Sequence, residues 1–475
     1  MALLDKHAGL YTDYYEFTMA QAFYLSGKAD IPATFDYFFR ENPFGGGYVI
    51  FAGLSDLLAI LQKFRFDDED IRFLGDRGLH PKFLDFLKSF RFKGTLTSVK
   101  EGEVIFPLET ILRVDGTIIE TQIIETLLLN LINFESLVAT KASRIRMIAG
   151  TRRVVDFGLR RAQGYGGIQA SKAAMIGGFD ATSNVYAAYH FGLETTGTQA
   201  HSWIQSFDDE LAAFRKFAEI FPDQCVLLVD TYNTLKSGVP NAMTVAHELE
   251  AKGHKMSGIR LDSGDLAYLS RRARTMLDEA GLNYVRIIAS NQLDEYVIKS
   301  LLEQDAPIDA FGVGTKLVTG QVTAALDGVY KLSMCDGKPR LKFSENFGKI
   351  SLPGRKKVMR YIGRDGMFYG DALALEEEKN LDWMFHPLFP ENRSPLSRMK
   401  HEELMEVVMH RGEVKKEWSI KESAAYAQER LKTLAQEHKR FENPHVYKVG
   451  ISQGIMQLRS KLIDAFHETL SKGGK

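Results

Sequence analysis

Between about residues 150 and 315, short apolar runs alternate with longer segments whose apolar residues recur at helical spacing. The run Val226-Leu227-Leu228-Val229 is typical of the short segments, which suit buried strands. Seven such strand–helix units follow one another, and a helical return path between successive strands makes the strands parallel. The pattern therefore predicts either an open doubly wound sheet or a (β/α) barrel.

Polar residues stand at the carboxyl end of almost every predicted strand, and this favours the barrel. A doubly wound sheet would concentrate functional residues near one switch point, whereas a barrel spreads them round a ring. We therefore predict an α/β fold with an irregular (β/α) barrel over residues 127–350. The polar corners carry Arg160, Ser183, His201, Asp230, Asp262, Asn291 and Gly314.

The regions on either side have other patterns. Residues 1–126 combine an aromatic helix that ends near Gly27, an alternating strand over residues 33–40 and short strands punctuated by glycine and proline. Residues 351–475 are predicted to be mostly helical from residue 375 onward, with a long amphipathic helix over residues 420–439. We expect this C-terminal extension to pack on the N-terminal segment and to complete a second α+β domain with it.

Composition sets limits on partners and location. Hydrophobic residues make up 45% of the 475 and the net charge is -1, so neither nucleic acid nor a membrane is expected as a partner. The two cysteines, Cys225 and Cys335, are too few for a disulfide framework. No signal peptide and no apolar run of membrane length stand out, and a cytoplasmic location is expected.

One turn has a notable concentration of charge. Arg260, Asp262 and Asp265 surround the turn Ser263-Gly264, directly after an apolar run. An arginine and two acids at the carboxyl end of a parallel strand suit an anionic substrate and a metal-bound phosphate. The alternative is a surface ion pair, because charged turns are common.

His201 is the histidine with the most suggestive position, at a predicted strand end with Asp230 ending the next strand. Neighbouring strands lie about 5 Å apart, so this aspartate could hold the imidazole in one tautomer and leave the other nitrogen as a nucleophile. A lone histidine is more often structural than catalytic. The absence of a Gly-x-Ser-x-Gly elbow and of zinc spacing argues against acyl transfer and a zinc site.

Two further features suit phosphate. The turn Gly312-Val313-Gly314-Thr315 offers backbone N–H groups and a hydroxyl ahead of a helix, after a late strand where (β/α) barrels hold phosphates. A glycine-rich turn on its own is a weak sign of a phosphate site, and its place in the series of strands strengthens it. Residues 330–361 are rich in lysine and arginine, which indicates either a solvated face or an arm that meets phosphates.

Taken together, several ordered motifs resemble the nicotinate phosphoribosyltransferase family. The similarity runs along nearly the whole chain, which makes it far more specific than any one motif. The motifs are YTDYYEFTMA at residues 11–20, FGLRR at 157–161, GTQAHS at 197–202, GIRLDSGD at 258–265, GVGT at 312–315 and SLPGRK at 351–356.

The resemblance implies a two-domain enzyme of the type II phosphoribosyltransferase fold, usually a homodimer with active sites shared between subunits. Such an enzyme joins nicotinate to phosphoribosyl pyrophosphate in NAD biosynthesis and releases pyrophosphate. The family couples this reaction to ATP hydrolysis, with Mg²⁺, through a phosphorylated histidine. His201 matches the position of that histidine.

The resemblance also implies a base site. Phe157 and Tyr15 would sandwich the pyridine ring, with Tyr15 coming from the other subunit. Arg260 and the region of Thr198 would hold the carboxylate of the substrate.

Selectivity for the base would depend on the corner at Ser183. Related nicotinamide enzymes have an aspartate here, and a carboxylate would repel nicotinate, so serine favours the acid. Asp180 lies close enough in the sequence for a shift of register to change this assignment.

The sugar and its phosphates would meet a second group of residues. Gly314 and Thr315 would bind the 5′-phosphate, and Asp262 would take the ribose hydroxyls or Mg²⁺. The basic segment after Lys331 would meet further phosphates. The whole predicted group is Arg40, Arg160, Asp262, Gly312, Gly314 and Thr315.

Two alternatives stay open at this point. The first is a nicotinamide phosphoribosyltransferase of the same fold. The second is a catalytically silent sensor of nucleotides or sugar phosphates, which would bind ligand without releasing pyrophosphate. A phosphorylatable histidine beside an acid argues against the sensor, which has no need of one.

Overall fold

The structure is a computed structural model, and it describes residues 6–342 and 351–473. The chain forms two compact units: the first unit contains Met1–Leu137 and Ala325–Lys475, and the second unit contains Val138–Ala324. The first boundary falls inside the helix Glu125–Ala149. The division of the sequence into domains 1–126, 127–350 and 351–475 stays a prediction.

The strands are numbered in chain order. They are β1 (Pro32–Phe39), β2 (Val49–Ile50), β3 (Thr95–Val99), β4 (Val104–Ile105), β5 (Leu112–Thr117), β6 (Arg153–Asp156), β7 (Ala181–Thr182), β8 (Val226–Leu228), β9 (Gly258–Leu261), β10 (Arg286–Ser290), β11 (Ala310–Val313), β12 (Gly328–Cys335), β13 (Lys338–Pro339), β14 (Lys356–Ile362), β15 (Phe368–Leu375), β16 (Trp383–Phe385), β17 (Arg393–Pro395), β18 (Lys400–Glu403), β19 (Met405–His410), β20 (Glu413–Val414) and β21 (Val449–Ile451).

The α-helices are named by their bounds. They are Tyr14–Leu25, Leu54–Gln62, Asp68–Asp76, Pro81–Ser89, Ile118–Ile123, Glu125–Ala149, Gly166–Ile176, Val185–Phe191, His201–Gln205, Glu210–Ile220, Val239–Ala251, Leu266–Glu279, Glu295–Glu303, Thr315–Val318, Ile420–Thr433 and Gln453–Gly473.

The second unit is built on a six-stranded parallel sheet with the order β7-β6-β11-β10-β9-β8. Its strands are apolar and buried, as Ile259 and Leu261 in β9 and Phe311 in β11 illustrate. Continuous apolar runs are expected when helices cover both faces of a parallel sheet. The predicted alternation of parallel strands and helices is confirmed.

The predicted strand before His201 is wrong. Thr195 forms a single parallel bridge with Thr182, the side chain of Gln199 donates a hydrogen bond of 3.4 Å to the carbonyl of Val226, and a short helix begins at His201. Residues 195–200 are mostly threonine and glutamine, so the segment lacks the large apolar side chains that a buried parallel strand needs. Over the described residues no ladder joins β7 to β8, and the closed barrel stays a prediction.

The first unit contains two larger sheets. One has the order β13-β12-β1-β5-β3-β19-β20 and the other has the order β17-β16-β21-β15-β14-β18. The predicted strand over residues 33–40 is confirmed as β1. The expectation of mostly helical structure from residue 375 is wrong, because residues 383–414 form the short strands β16 to β20. These strands have only two to six residues, and most of them mix charged and partly exposed positions, so their sequence has no long apolar alternation that would mark them.

The predicted amphipathic helix of the C-terminal region is largely confirmed, and two consecutive helices of the first part of the chain are notably apolar. The helix near residue 420 begins with a capping box between Ser419 and Glu422 and ends at Thr433, earlier than predicted. The consecutive helices over Ile118–Ala149 are long and apolar enough to span a membrane by length and composition, contrary to the sequence expectation. Since 67% of their most apolar window is buried inside the protein, they have the character of core helices.

A buried ionic cluster lies between the sheets and helices of the first unit. The guanidinium of Arg360 contacts Asp371 at 2.6 Å and Glu103 at 2.6 Å, and all three side chains are buried. Tyr447 donates a hydrogen bond of 2.9 Å to Asp371. Burial opposes ionisation of this carboxyl, but the charge of Arg360 outweighs it and lowers the pKa of Asp371.

We expect Arg360→Ala to lower the apparent free energy of unfolding by roughly 3–5 kcal/mol. The substitution removes the arginine that pairs with the buried Asp371 and one of the two arginines that pair with the buried Glu103, the other being Arg430. Urea denaturation of the purified protein measures this. Arg364→Ala, in the exposed turn between β14 and β15, is the matched control and should change stability little. Equal effects of the two substitutions would contradict this account of the cluster.

Candidate functional site

The carboxyl ends of the parallel strands lie at one edge of the sheet in the second unit. Asp262 follows β9, Phe157 follows β6 and Gly314 follows β11. Strands that run in the same direction bring their corners together, which is why this edge is the usual place of a site in parallel α/β folds.

The guanidinium of Arg260 is held by three side chains. Its Nε donates to Ser290 Oγ at 2.9 Å, its Nη1 donates to Thr198 Oγ1 at 3.1 Å and its Nη2 donates to Asp262 Oδ1 at 3.0 Å. The Arg260 side chain keeps 15% exposure, so it is fixed without being sealed off. A cation held in this way can bind a carboxylate without first reorganising.

Phe157 completes this part of the site. Its ring centroid lies 5.2 Å from Cζ of Arg260, which is within the range of a cation–π contact. The structure therefore brings together Arg260, Thr198 and Phe157, three of the residues predicted for the base site. A flat ring with an anionic substituent is the kind of ligand that an aromatic face beside a guanidinium recognises.

Gly312, which was predicted to bind phosphate, packs against Phe157 in the structure. Gly312 lies inside β11 and is buried, and a Cβ there would collide with the ring of Phe157. Glycine at this position makes room for the ring. Gly314 and Thr315 lie beyond the strand, at the start of the helix Thr315–Val318, and both are partly exposed.

A buried aspartate that sequence reasoning missed supports the Phe157 corner. Asp156 accepts hydrogen bonds of 2.7 Å from both Ser171 and Thr182, and one of 2.8 Å from the backbone N–H of Gly158. Burial raises its pKa, and these hydrogen bonds oppose the shift. The signal was available: Asp156 is the polar residue that ends the apolar run of β6.

The structure also separates Asp180 from Ser183. Asp180 precedes β7, where it accepts a hydrogen bond of 2.8 Å from the backbone N–H of Val154 and pairs with Arg146. Ser183 follows β7, and its backbone N–H donates to the carbonyl of Asp156 at 2.8 Å. Of these two residues, Ser183 is the one at the carboxyl end of the strand.

His201 has partners other than the predicted one. Its Nδ1 lies 3.0 Å from Thr231 Oγ1, and its Nε2 lies 3.9 Å from Asp262 Oδ2. Asp230 instead accepts hydrogen bonds from the backbone N–H of Asp262 at 2.9 Å and from Ser263 at 2.6 Å. The predicted pairing of His201 with Asp230 is therefore wrong, because the polar turn after β9 takes up one of the carboxylate oxygens of Asp230.

Three further predicted residues lie in elements of their own. Tyr15 is exposed on the helix Tyr14–Leu25 of the first unit, and Arg40 follows β1 in the same unit, with its Nη1 3.8 Å from Asp327 Oδ2. Arg160 is exposed on a short 3-10 helix, Leu159–Arg161. Their roles stay predictions. Lys349 of the basic segment lies outside the described residues.

Family models match the chain in three parts, and the last two overlap over residues 355–365. Residues 10–133 match the nicotinate phosphoribosyltransferase N-terminal domain, residues 152–365 match the nicotinate phosphoribosyltransferase family and residues 355–459 match the nicotinate phosphoribosyltransferase C-terminal domain.

Individual relatives give the same result. The chain is 42% identical to the nicotinate phosphoribosyltransferase of Bacillus subtilis over 98% of this chain and 97% of that protein. It is 36% identical to the nicotinate phosphoribosyltransferase of Caenorhabditis elegans, over 94% of this chain and 92% of that protein. Among solved structures, human nicotinic acid phosphoribosyltransferase matches with a TM-score of 0.85 and 32% identity, over 95% of this chain and 99% of that one.

Proposed function

This chain belongs to the nicotinate phosphoribosyltransferase family, and we propose that it joins nicotinate to phosphoribosyl pyrophosphate in the biosynthesis of NAD. The single observation that carries this proposal is the guanidinium of Arg260, fixed by three side chains beside the ring of Phe157. A cation and an aromatic face at one point suit an aromatic carboxylic acid.

In this reaction the main task of the protein is to position the two substrates. The pyridine nitrogen forms a bond to the anomeric carbon of the sugar while the bond from that carbon to pyrophosphate breaks. The protein must hold the ring in line and stabilise the departing anion. Gly314 and Thr315, with Arg40 and the basic segment, would meet the phosphates of the sugar substrate.

The corner at Ser183 supports nicotinate over nicotinamide. A carboxylate at the end of β7 would repel the acid, and Asp180, the nearest one in the sequence, is engaged at the other end of that strand. Ser183 is neutral, so the positive charge of Arg260 has no competing negative charge from this residue.

We infer that ATP phosphorylates His201. The γ-phosphoryl group would pass to a ring nitrogen as its bond to ADP breaks, and water would later release inorganic phosphate. The exposure of the imidazole, 41%, and its contacts with Thr231 and Asp262 support this role. Phosphorylation would convert the energy of ATP into tighter binding of phosphoribosyl pyrophosphate.

The acids of this edge fit Mg²⁺, which prefers carboxylate oxygens. Asp230 Oδ1 is a buried oxygen that accepts no hydrogen bond from the described residues, and the side chain of Asp262 is partly exposed. Mg²⁺ held by these acids would neutralise the charge of the pyrophosphate group.

We also infer that the sheet closes into an irregular (β/α) barrel. The bridge of Thr195 to β7 and the hydrogen bond from Gln199 to β8 support closure through the segment before His201. A cytoplasmic homodimer in which Tyr15 enters the site of the other subunit completes the proposal.

The purified protein, given phosphoribosyl pyrophosphate and ATP, should use nicotinate with a kcat/KM at least about tenfold above that for nicotinamide, because a charge-assisted contact to Arg260 is lost with the amide. Release of pyrophosphate and formation of mononucleotide are measured for each base. A preference for nicotinamide would overturn the choice of substrate, and ligand binding without pyrophosphate release would favour the sensor.

Arg260→Ala should raise the KM for nicotinate by roughly 10- to 100-fold, since it removes the cation that pairs with the carboxylate. Steady-state rates at saturating phosphoribosyl pyrophosphate measure this. Arg215→Ala removes an exposed arginine that pairs with Glu248 on the surface and serves as the control. An unchanged KM in the Arg260 variant would remove Arg260 from the carboxylate site.

His201→Ala should abolish ATP hydrolysis while some phosphoribosyl transfer persists, because the base and sugar sites remain. Release of ADP and formation of mononucleotide are measured in the same reaction. His254→Ala, which removes a surface histidine beside Asp223, is the control. The phosphohistidine role is wrong if the His201 variant still hydrolyses ATP in step with product.

A further inference from the structure

Ser290 contacts both Arg260 and Asp262. We propose that it is a positioning residue that couples His201 to the site of the base. This inference rests on the proposed function and deepens it. It assigns to one hydroxyl the task of transmitting the charge state of His201 to Arg260.

The hydrogen bonds of Ser290 have a fixed direction. Arg260 offers only donors, so Ser290 Oγ accepts from Arg260 Nε, and its single proton is left for Asp262 Oδ1. Arg260 Nη2 donates to the same Oδ1 at 3.0 Å. The three side chains form a closed ring of hydrogen bonds, and Ser290, at the end of β10, is 2% exposed.

Asp262 connects this ring to His201. One carboxylate oxygen, Oδ1, lies in the ring, while the other, Oδ2, lies 3.9 Å from Nε2 of His201. A change of charge at His201 therefore acts on one of the three residues that hold Arg260. In the described part of the chain no other carboxylate contacts both the guanidinium and the imidazole.

The physical effect depends on the ring being rigid. A phosphoryl group on His201 would add negative charge near Oδ2, which would repel the Asp262 carboxylate and attract the guanidinium of Arg260. With Ser290 in place, Asp262 and Arg260 cannot relax by rotating about a single contact, so the change reaches the carboxylate site. Without the hydroxyl of Ser290, the Asp262 side chain could rotate in response to the new charge, and Arg260 would be affected less.

The measurement is the KM for nicotinate with ATP and without ATP, and the ratio of the two is the coupling. We expect Ser290→Ala to bring this ratio at least about fivefold closer to one, the value that means no coupling. Fivefold is the lower end of a typical coupling between sites. Ser290→Thr keeps a hydroxyl on the same carbon and should restore most of the coupling. Ser270→Ala is the matched control, since Ser270 is equally buried in the second unit and its hydroxyl donates to a backbone carbonyl.

A purely structural role predicts another result. In that case Ser290→Ala would raise both KM values by the same factor and leave the ratio unchanged, and the proposal would be overturned. If Ser290→Ala does not fold, Ser290→Cys tests the same ratio with a weaker hydrogen-bonding group. Failure of the proposed function looks different, because the parent protein itself would then form no mononucleotide from nicotinate.

Discussion

The fixed guanidinium of Arg260 is the interaction on which the site depends. Its partners come from three different places: Ser290 from the end of β10, Asp262 from the turn after β9 and Thr198 from the irregular segment before His201. No one element could hold the cation in this position. The parallel register of the strands brings these side chains to one edge, and the guanidinium then ties the corners together.

Arg360 shows how a structural arginine differs. It is fully buried, and its donors go to Asp371, Glu103 and a backbone carbonyl, so two carboxylates surround one cation. Arg260 has Asp262 as its charged partner and stays partly exposed. A guanidinium with one carboxylate and some access to water has capacity for a second anion, whereas one enclosed by two has none. The proposed substrate, a carboxylate, needs this capacity.

Much of the second unit could be predicted because buried strands and their polar ends leave a clear pattern. The apolar run before Asp262 and the corner at Phe157 were visible for that reason. Ser290 and Thr231 were not, because a hydroxyl has no characteristic spacing, and its partner depends on the register between strands. The pairing of His201 with Asp230 failed for the same reason: sequence order indicates neighbouring strands but not which side chains meet across a turn.

The arrangement of charge suits the proposed use of one edge by an anionic base, a pyrophosphate and a phosphorylated histidine. Asp262 balances Arg260 before any substrate is present, so the guanidinium is already oriented and binding need not reorganise it. A nicotinate carboxylate would then compete with Asp262 for one cation. The charge on His201 would change how strongly Asp262 competes for Arg260, since Nε2 of His201 lies 3.9 Å from Asp262 Oδ2. In the proposed mechanism, coupling between ATP and base binding would follow from the sharing of a single cation between two carboxylates.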